Sequence, residues 1–262
     1  MRSQYPVRAV LLDLEGTLYA NGETIPGAVA ALTELRDQGF ALRFLTNTDS
    51  EPAGRTLARL AGYGLPIERE ELFTPVVAAE SLVAATSDAR VYAVVSRALR
   101  ESFPCLVDEP PFTHVLVGDC RDTLSYPLLD GAFRALRSGA ALLALQRGRY
   151  FKRADGDHLD TGAVVAGLEY AAGVQARVLG KPSTDFFALA AATLGVDVTE
   201  CLVVGDDATT DVAGGNAAGA RTVQVRTGKY ADQRADGLVG GADHTIDSIT
   251  GLPGLLREFP EG

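Results

Sequence analysis

The chain has 262 residues, 47% of them hydrophobic and 22% charged, with a formal net charge of −10 and a pI near 4.8. That length suits one or two globular domains, and the acidity argues against nucleic acid or an anionic membrane as the main partner. With no signal-peptide pattern, no apolar run of membrane-spanning length, and three scattered cysteines (Cys105, Cys120, Cys201) that read as buried small hydrophobes, a soluble cytoplasmic protein is expected.

The first predicted element is a strand over Val7–Leu12, a branched apolar run too short for a helix and stopped by acid and glycine. It reads as a buried parallel strand that delivers Asp13 into the turn Leu14-Glu15-Gly16-Thr17, and ligands of open α/β sheets bind beyond such strand ends. Gly16 lets backbone approach a ligand closely, and Thr17 can donate a hydroxyl hydrogen bond. A carboxylate fixed there serves as nucleophile or metal ligand; the plainer alternative is a loop cap. Turns fall at Asn21-Gly22 and Pro26-Gly27, and a helix over 28–36 places Val29, Leu32 and Leu35 at helical spacing before Gly39. The next strand, Phe40–Leu45, runs into Thr46-Asn47-Thr48-Asp49-Ser50. These residues suit a helix N-cap, and equally a hydroxyl and helix-start amides that hold a phosphate. Helices follow from about Pro52 to Gly62, with Leu57 and Leu60 inward, and from Thr74 to Ala85.

Strands at Arg90–Val95, His114–Val117 and Ala140–Gln146, a helix over Asp130–Arg137 and a polar, Pro-broken loop over Phe103–Thr113 repeat the α/β alternation without an evident nucleophile. This stretch reads as an inserted domain. Asp155-Gly156, between short extended arms, signals a hairpin over Tyr150–Leu159. Arg149, Lys152 and Arg153 form a basic group on and beside it, either a solvated face or contacts for an anionic substrate.

After a short strand, Ala176–Leu179, comes Gly180-Lys181-Pro182-Ser183 and a helix from Thr184 or Asp185. Lys181 is either a solvated charge or a cation pinned toward a phosphate. The apolar strand Cys201–Val204 then runs into Gly205-Asp206-Asp207-Ala208-Thr209-Thr210-Asp211. Carboxylates this crowded repel one another unless solvated or shared by a cation, and a hard divalent ion with oxygen ligands is the natural solution. Gly214, Gly215 and Gly219 make no dinucleotide fingerprint. Val223–Val225 and Thr245-Ile246 read as the last strands.

With an Asp, a Thr, a Lys and an acid group in that order at strand ends or helix starts, the chain resembles phosphatases of the haloacid dehalogenase superfamily, in their NagD-type branch. Arg43-Phe-Leu-Thr-Asn47, Tyr150-Phe-Lys-Arg153, Val204-Gly-Asp-Asp207 and Thr227-Gly-Lys-Tyr230 are similar in particular to the subgroup of haloacid dehalogenase-like hydrolase domain-containing protein 2. The resemblance implies an α/β fold: a Rossmann-like core with a parallel sheet over 1–85 and 178–262, and a smaller α/β cap of the C2 type over 86–177. It implies a magnesium-dependent phosphatase that hydrolyses a small phosphorylated metabolite through an aspartyl-phosphate. In that reading Asp13 is the nucleophile, and Mg2+ is held by Asp13, the backbone carbonyl of Glu15 and Asp206. Thr46 and the Asn47 amide bind phosphoryl oxygens, Lys181 balances their charge, and Asp211 and Asp207 orient the lysine or the metal-bound waters. The family usually carries Asp where this chain has Glu15, the general acid and base. Glutamate offers the same chemistry on a longer arm, so slow turnover is expected. The alternative is a weakly catalytic protein that binds a phospho-ligand or regulates. A homodimer is left open.

Overall fold

The computed structural model describes residues 6–153 and 155–259, apart from the side chains of Lys152 and Arg153. Strand β1 (Ala9–Asp13) is buried at all five residues, which is why its sequence does not alternate. A small antiparallel hairpin follows, β2 (Tyr19–Ala20) with β3 (Glu23–Thr24). It turns at Asn21 and Gly22, both at positive φ, as the tightest hairpin turns require. Helix α1 (Ala28–Asp37) buries Ala28, Ala31, Leu32 and Leu35, whereas Val29 is 38% exposed. The buried stripe is completed by alanines, so Val29, expected inside, lies outside it. Next come β4 (Ala41–Leu45), α2 (Ala53–Gly62), β5 (Leu72–Phe73) and α3 (Pro75–Ala84). Thr74 caps α3, its hydroxyl accepting from the Val77 amide at 3.2 Å.

The middle of the chain forms β6 (Val91–Val94), α4 (Arg97–Arg100), β7 (His114–Val117), α5 (Tyr126–Arg137), β8 (Ala141–Ala144), β9 (Tyr150–Arg153), β10 (Gly156–Leu159), α6 (Thr161–Ala172) and β11 (Arg177–Val178). The remainder forms α7 (Thr184–Ala192), β12 (Cys201–Gly205), a π-helical turn (Ala208–Val212), α8 (Ala213–Ala218), β13 (Arg221–Val225), α9 (Tyr230–Ala235), β14 (His244–Ile246) and α10 (Leu252–Leu256). No helix among the described residues is long and apolar enough to cross a membrane.

By its contacts the chain sorts into two units. The first runs through Thr46, takes up 56–73 and resumes at Lys181. Its sheet is parallel throughout, in the order β14-β13-β12-β1-β4-β5. Strand order reverses at β1, which lies between β4 and β12, and at such a switch point the strand ends splay into a crevice. Asp13 is in register with Leu45, and Leu12 with Val204. Thr46 and Asp206, each directly following its strand, therefore emerge on the same edge of the sheet as Asp13.

The second unit comprises 47–55 and 74–180. It holds a four-stranded parallel sheet, β11-β8-β7-β6, on whose core of Val94, Val115, Val117 and Leu142 the residues Ala132 of α5 and Val165 of α6 pack. Helix α5 starts four residues before the expected Asp130, because Ser125 caps it and Pro127 preorganises its first turn. In the hairpin Gly156 pairs with Arg153 and opens the second arm at φ 130°. Cys120 and Cys201 are buried as expected; Cys105 is exposed, at φ 62° in the polar loop after α4, which corrects the reading of all three as buried.

One buried acid in this unit sets a pH dependence. Asp49 is 7% exposed, and its Oδ2 accepts from the Thr161 hydroxyl at 2.7 Å. Burial pushes its pKa up to about 6, the Thr161 hydrogen bond opposing and the Asp160 and Asp119 carboxylates adding. A carboxyl raised in the fold costs stability wherever it must ionise, so the penalty is absent below the unfolded value and complete above the folded one. Asp49→Asn is therefore expected to stabilise the protein by about 2 to 3 kcal/mol at pH 8, the gain fading as pH falls through 6. Thermal melts at pH 4, 6 and 8 check this, and an equal change at all three would refute it.

Candidate active site

The end of β1 carries Asp13, 7% exposed, with Oδ2 accepting from Thr17 Oγ1 at 3.2 Å. Its Oδ1 accepts from Lys181 Nζ at 2.5 Å, and the same ammonium donates to Asp211 Oδ1 at 2.6 Å. Lys181 is 5% exposed. Burial works against its charge, but Asp13 and Asp211 outweigh that and hold its pKa above the ordinary lysine value. Asp211 lies in the π-helical turn, and its Oδ2 accepts from the Asp207 amide at 3.2 Å. Burial pushes its carboxyl up to about 8, Lys181 opposing, Asp13 and Asp206 adding.

Asp206 follows β12. Its Oδ2 accepts from the Lys229 amide at 2.7 Å, and its backbone oxygen accepts from Gln224 Nε2 at 3.0 Å. Burial, then the Asp13 charge, pushes its pKa up to about 6. Two glycines press against this carboxylate: a Cβ on Gly16 (φ 89°) would stand 2.2 Å from Asp206 Oδ2, and one on Gly228 (φ 57°) 2.0 Å away. Both the backbone angle and the close approach require glycine at these positions.

The neighbouring acid is engaged elsewhere. Asp207 Oδ1 accepts from the Thr209 and Thr210 amides and from Gln233 Nε2, and Oδ2 accepts from Lys229 Nζ at 2.8 Å. Burial works against its charge, yet Lys229 and these hydrogen bonds outweigh it and hold its pKa well below the usual carboxylate range. Asp211, not Asp207, touches Lys181.

One ligand oxygen each from Asp13, Asp206 and Asp211 lies within 4.8 Å of the others, all three residues buried. Three carboxylates against one ammonium make an oxygen-rich, anionic donor set that fits a hard divalent cation. Glu15 stands apart from the cluster. Its side chain is exposed and its backbone bridges to Tyr19. Burial pushes the Tyr19 phenol up to about 12, with the Glu15 charge next in importance.

Thr46 directly follows β4, beside β1, and Asn47 comes next. Asn47 Oδ1 lies 2.8 Å from where a Cβ on Gly180 would stand, so the residue before Lys181 must be bare backbone. Of the basic residues near the hairpin, Arg149 is exposed, and the side chains of Lys152 and Arg153 lie outside the described residues. The residues that sequence reasoning left without a role are Thr227, Gly228, Lys229, Gln224 and Gln233. The signal for the first three was the Thr227-Gly-Lys-Tyr230 run.

Residues 10–105 match the family of haloacid dehalogenase-like hydrolases, and 178–252 match a HAD-hydrolase-like family. The phospholysine phosphohistidine inorganic pyrophosphate phosphatase of Xenopus laevis is 37% identical over 257 residues, 93% of this chain and 94% of that one. The chain belongs to the haloacid dehalogenase-like hydrolases. Haloacid dehalogenase-like hydrolase domain-containing protein 2 of Bos taurus is 38% identical over 88% of each chain. Among solved structures, p-nitrophenyl phosphatase from Archaeoglobus fulgidus superposes with a TM-score of 0.86 at 26% identity, covering 95% of this chain and 99% of that one. NagD from E. coli K-12 shares the fold, with a TM-score of 0.82 at 24% identity over 94% of this chain and 98% of its own. This haloacid dehalogenase-like hydrolase thus has a NagD-like fold and is an enzyme with a phosphatase function.

Proposed function

We propose that this haloacid dehalogenase-like hydrolase is a magnesium-dependent phosphatase that acts on a small phosphorylated metabolite through an aspartyl-phosphate at Asp13. The observation that carries this reading is Asp13 itself, a buried carboxylate at the central strand end, bonded to Lys181 and clustered with Asp206 and Asp211. Asp13 Oδ attacks phosphorus, the bond to the leaving oxygen breaks, and water then cleaves the acyl phosphate to release phosphate and restore the carboxylate. Lys181, the Thr46 hydroxyl and the Asn47 amide neutralise and orient the phosphoryl oxygens, since phosphoryl transfer is mainly positioning and charge stabilisation. Asp211 orients Lys181, and Asp207, tied to Lys229, shapes the turn that carries Asp211. Mg2+ would be held by Asp13, the Glu15 carbonyl and Asp206, and would supply positive charge that lets carboxylate and phosphate approach. We assign selectivity to the insertion, 86–177, with Arg149, Lys152 and Arg153 its basic candidates for an anionic group. A panel of alkyl phosphates, aryl phosphates, phosphoramidates and pyrophosphate, assayed with and without Mg2+, tests the reading; no phosphate release from any of them would refute it.

Glu15 decides how well the site turns over. As general acid it protonates the leaving oxygen and then draws a proton from the attacking water, a contribution of about 10² to 10⁴ in rate. Glu15→Gln is expected to cost that much on an alkyl phosphate and much less on nitrophenyl phosphate, whose leaving group needs little protonation. Mg2+ affinity should hold, because the ligand at this position is backbone. The longer arm and the exposure of Glu15 favour a second reading, a phospho-ligand-binding or regulatory protein, and a small, equal effect on both substrates would support it.

A further inference from the structure

The turn after β13 reaches both loops that carry the acids. Thr227 Oγ1 donates to the Gly16 carbonyl at 2.5 Å, and the Gly16 amide donates to the Tyr19 carbonyl at 2.7 Å. The peptide groups on either side of Gly16 are thereby fixed, and the one before it bears the Glu15 carbonyl. Two residues on, the Lys229 amide donates to Asp206 Oδ2. Gly228 lies between them, its missing side chain leaving room for the Asp206 carboxylate and the Gly16 backbone. Asp206 Oδ1 receives no hydrogen bond among the described residues.

We propose that the Thr227-Gly228-Lys229 turn is a positioning element for the cation, holding Asp206 through Oδ2 and, through the Gly16 carbonyl, the loop that carries the Glu15 carbonyl. The inference rests on the functional reading above. Its physical content is preorganisation. A carboxylate free to rotate and a carbonyl free to tilt would have to be ordered when the cation binds, and partners that hold metal ligands in place typically change affinity about 10- to 100-fold when removed. Neither Thr227 nor Lys229 touches substrate in this scheme; both act through Asp206 and the Glu15 carbonyl.

The test is Mn2+ titrated by calorimetry into the substrate-free full-length protein, with the melting temperature of the cation-free protein recorded on the same samples. Binding by the wild type, abolished in Asp206→Asn, checks the functional reading by itself; absence of wild-type binding overturns both. Thr227→Val is expected to weaken Mn2+ binding about 10- to 100-fold, and Thr227→Ser, which keeps the hydroxyl, to restore it to within about threefold. A Thr227→Val protein that melts lower but retains the wild-type Kd overturns the proposal, as does loss of affinity in Thr227→Ser. If Thr227→Val does not fold, Thr227→Ala takes its place, and failure of both to fold returns Thr227 to a purely structural role.

Discussion

Asp13→Asn is expected to abolish phosphate release, a loss on the order of 10⁴-fold or more, as for other nucleophile deletions. The amide has the shape of the carboxylate and can still accept from Thr17. It lacks the charge and nucleophilicity needed to attack phosphorus. The substitution should not unfold the protein. Asp13 is one of the like charges that push Asp206 and Asp211 upward, so neutralising it relieves repulsion within the cluster. Lys181 loses one partner but keeps Asp211, and this offsets the relieved repulsion, so the melting temperature without cation should stay near the wild-type value while activity is lost. Chelation should silence the wild type in the same assay, and added Mg2+ should revive it. Wild-type phosphate release from Asp13→Asn would sink the mechanism.

Lys181→Met carries the second large effect, on both stability and rate. The ammonium is buried between Asp13 and Asp211, and its removal leaves two buried carboxylates without their cation. Breaking a buried pair from one side typically costs about 3 to 5 kcal/mol. For a chain of this size that corresponds to a melting-temperature drop on the order of 10 °C. Methionine matches the length of the side chain, so the loss would report charge and not a cavity. Mg2+ should recover part of the stability, because a cation that binds only the folded state stabilises it by mass action. Turnover should stay low even then, since the charge facing the phosphoryl oxygens is missing. Arginine is not a neutral control here, as its planar fork cannot take the place of a compact ammonium. Wild-type melting and rate in Lys181→Met would remove the lysine from both roles.

How far the sequence could be read depended on the kind of element. β1 and β12 were legible because strands covered on both faces are short, nearly unbroken apolar runs, and β4 was legible despite the buried Arg43 in its middle; each leads into the polar residues that form the site. Their neighbours in the sheet were not legible, since nothing local says that Ala9 will pair with Cys201. Helix α6 escaped because Thr161–Ala172 mixes glycine and alanine with valine and leucine on most faces and shows little helical period. Asp206 and Asp207 could not be told apart by type. Their surroundings differ because the partners that separate them, Lys229 and Gln233, arrive from beyond β13. Lys181 was equally ambiguous as a residue. What resolves it is burial between two acids contributed by distant segments.

The position of β1 also bears on how the enzyme is made. During synthesis β1 and β4 emerge early and can pair at once, but the strand that covers the other edge of β1 begins only at Cys201. Until that segment leaves the ribosome, one whole side of a strand that is apolar up to Asp13 has no hydrogen-bonding partner within its own sheet. Such an edge is a template for pairing with another chain. Nascent or truncated chains that stop short of Cys201 would thus combine an aggregation-prone edge with the absence of Asp206 and Asp211, so sheet closure and completion of the acid cluster coincide in the last strands to be translated.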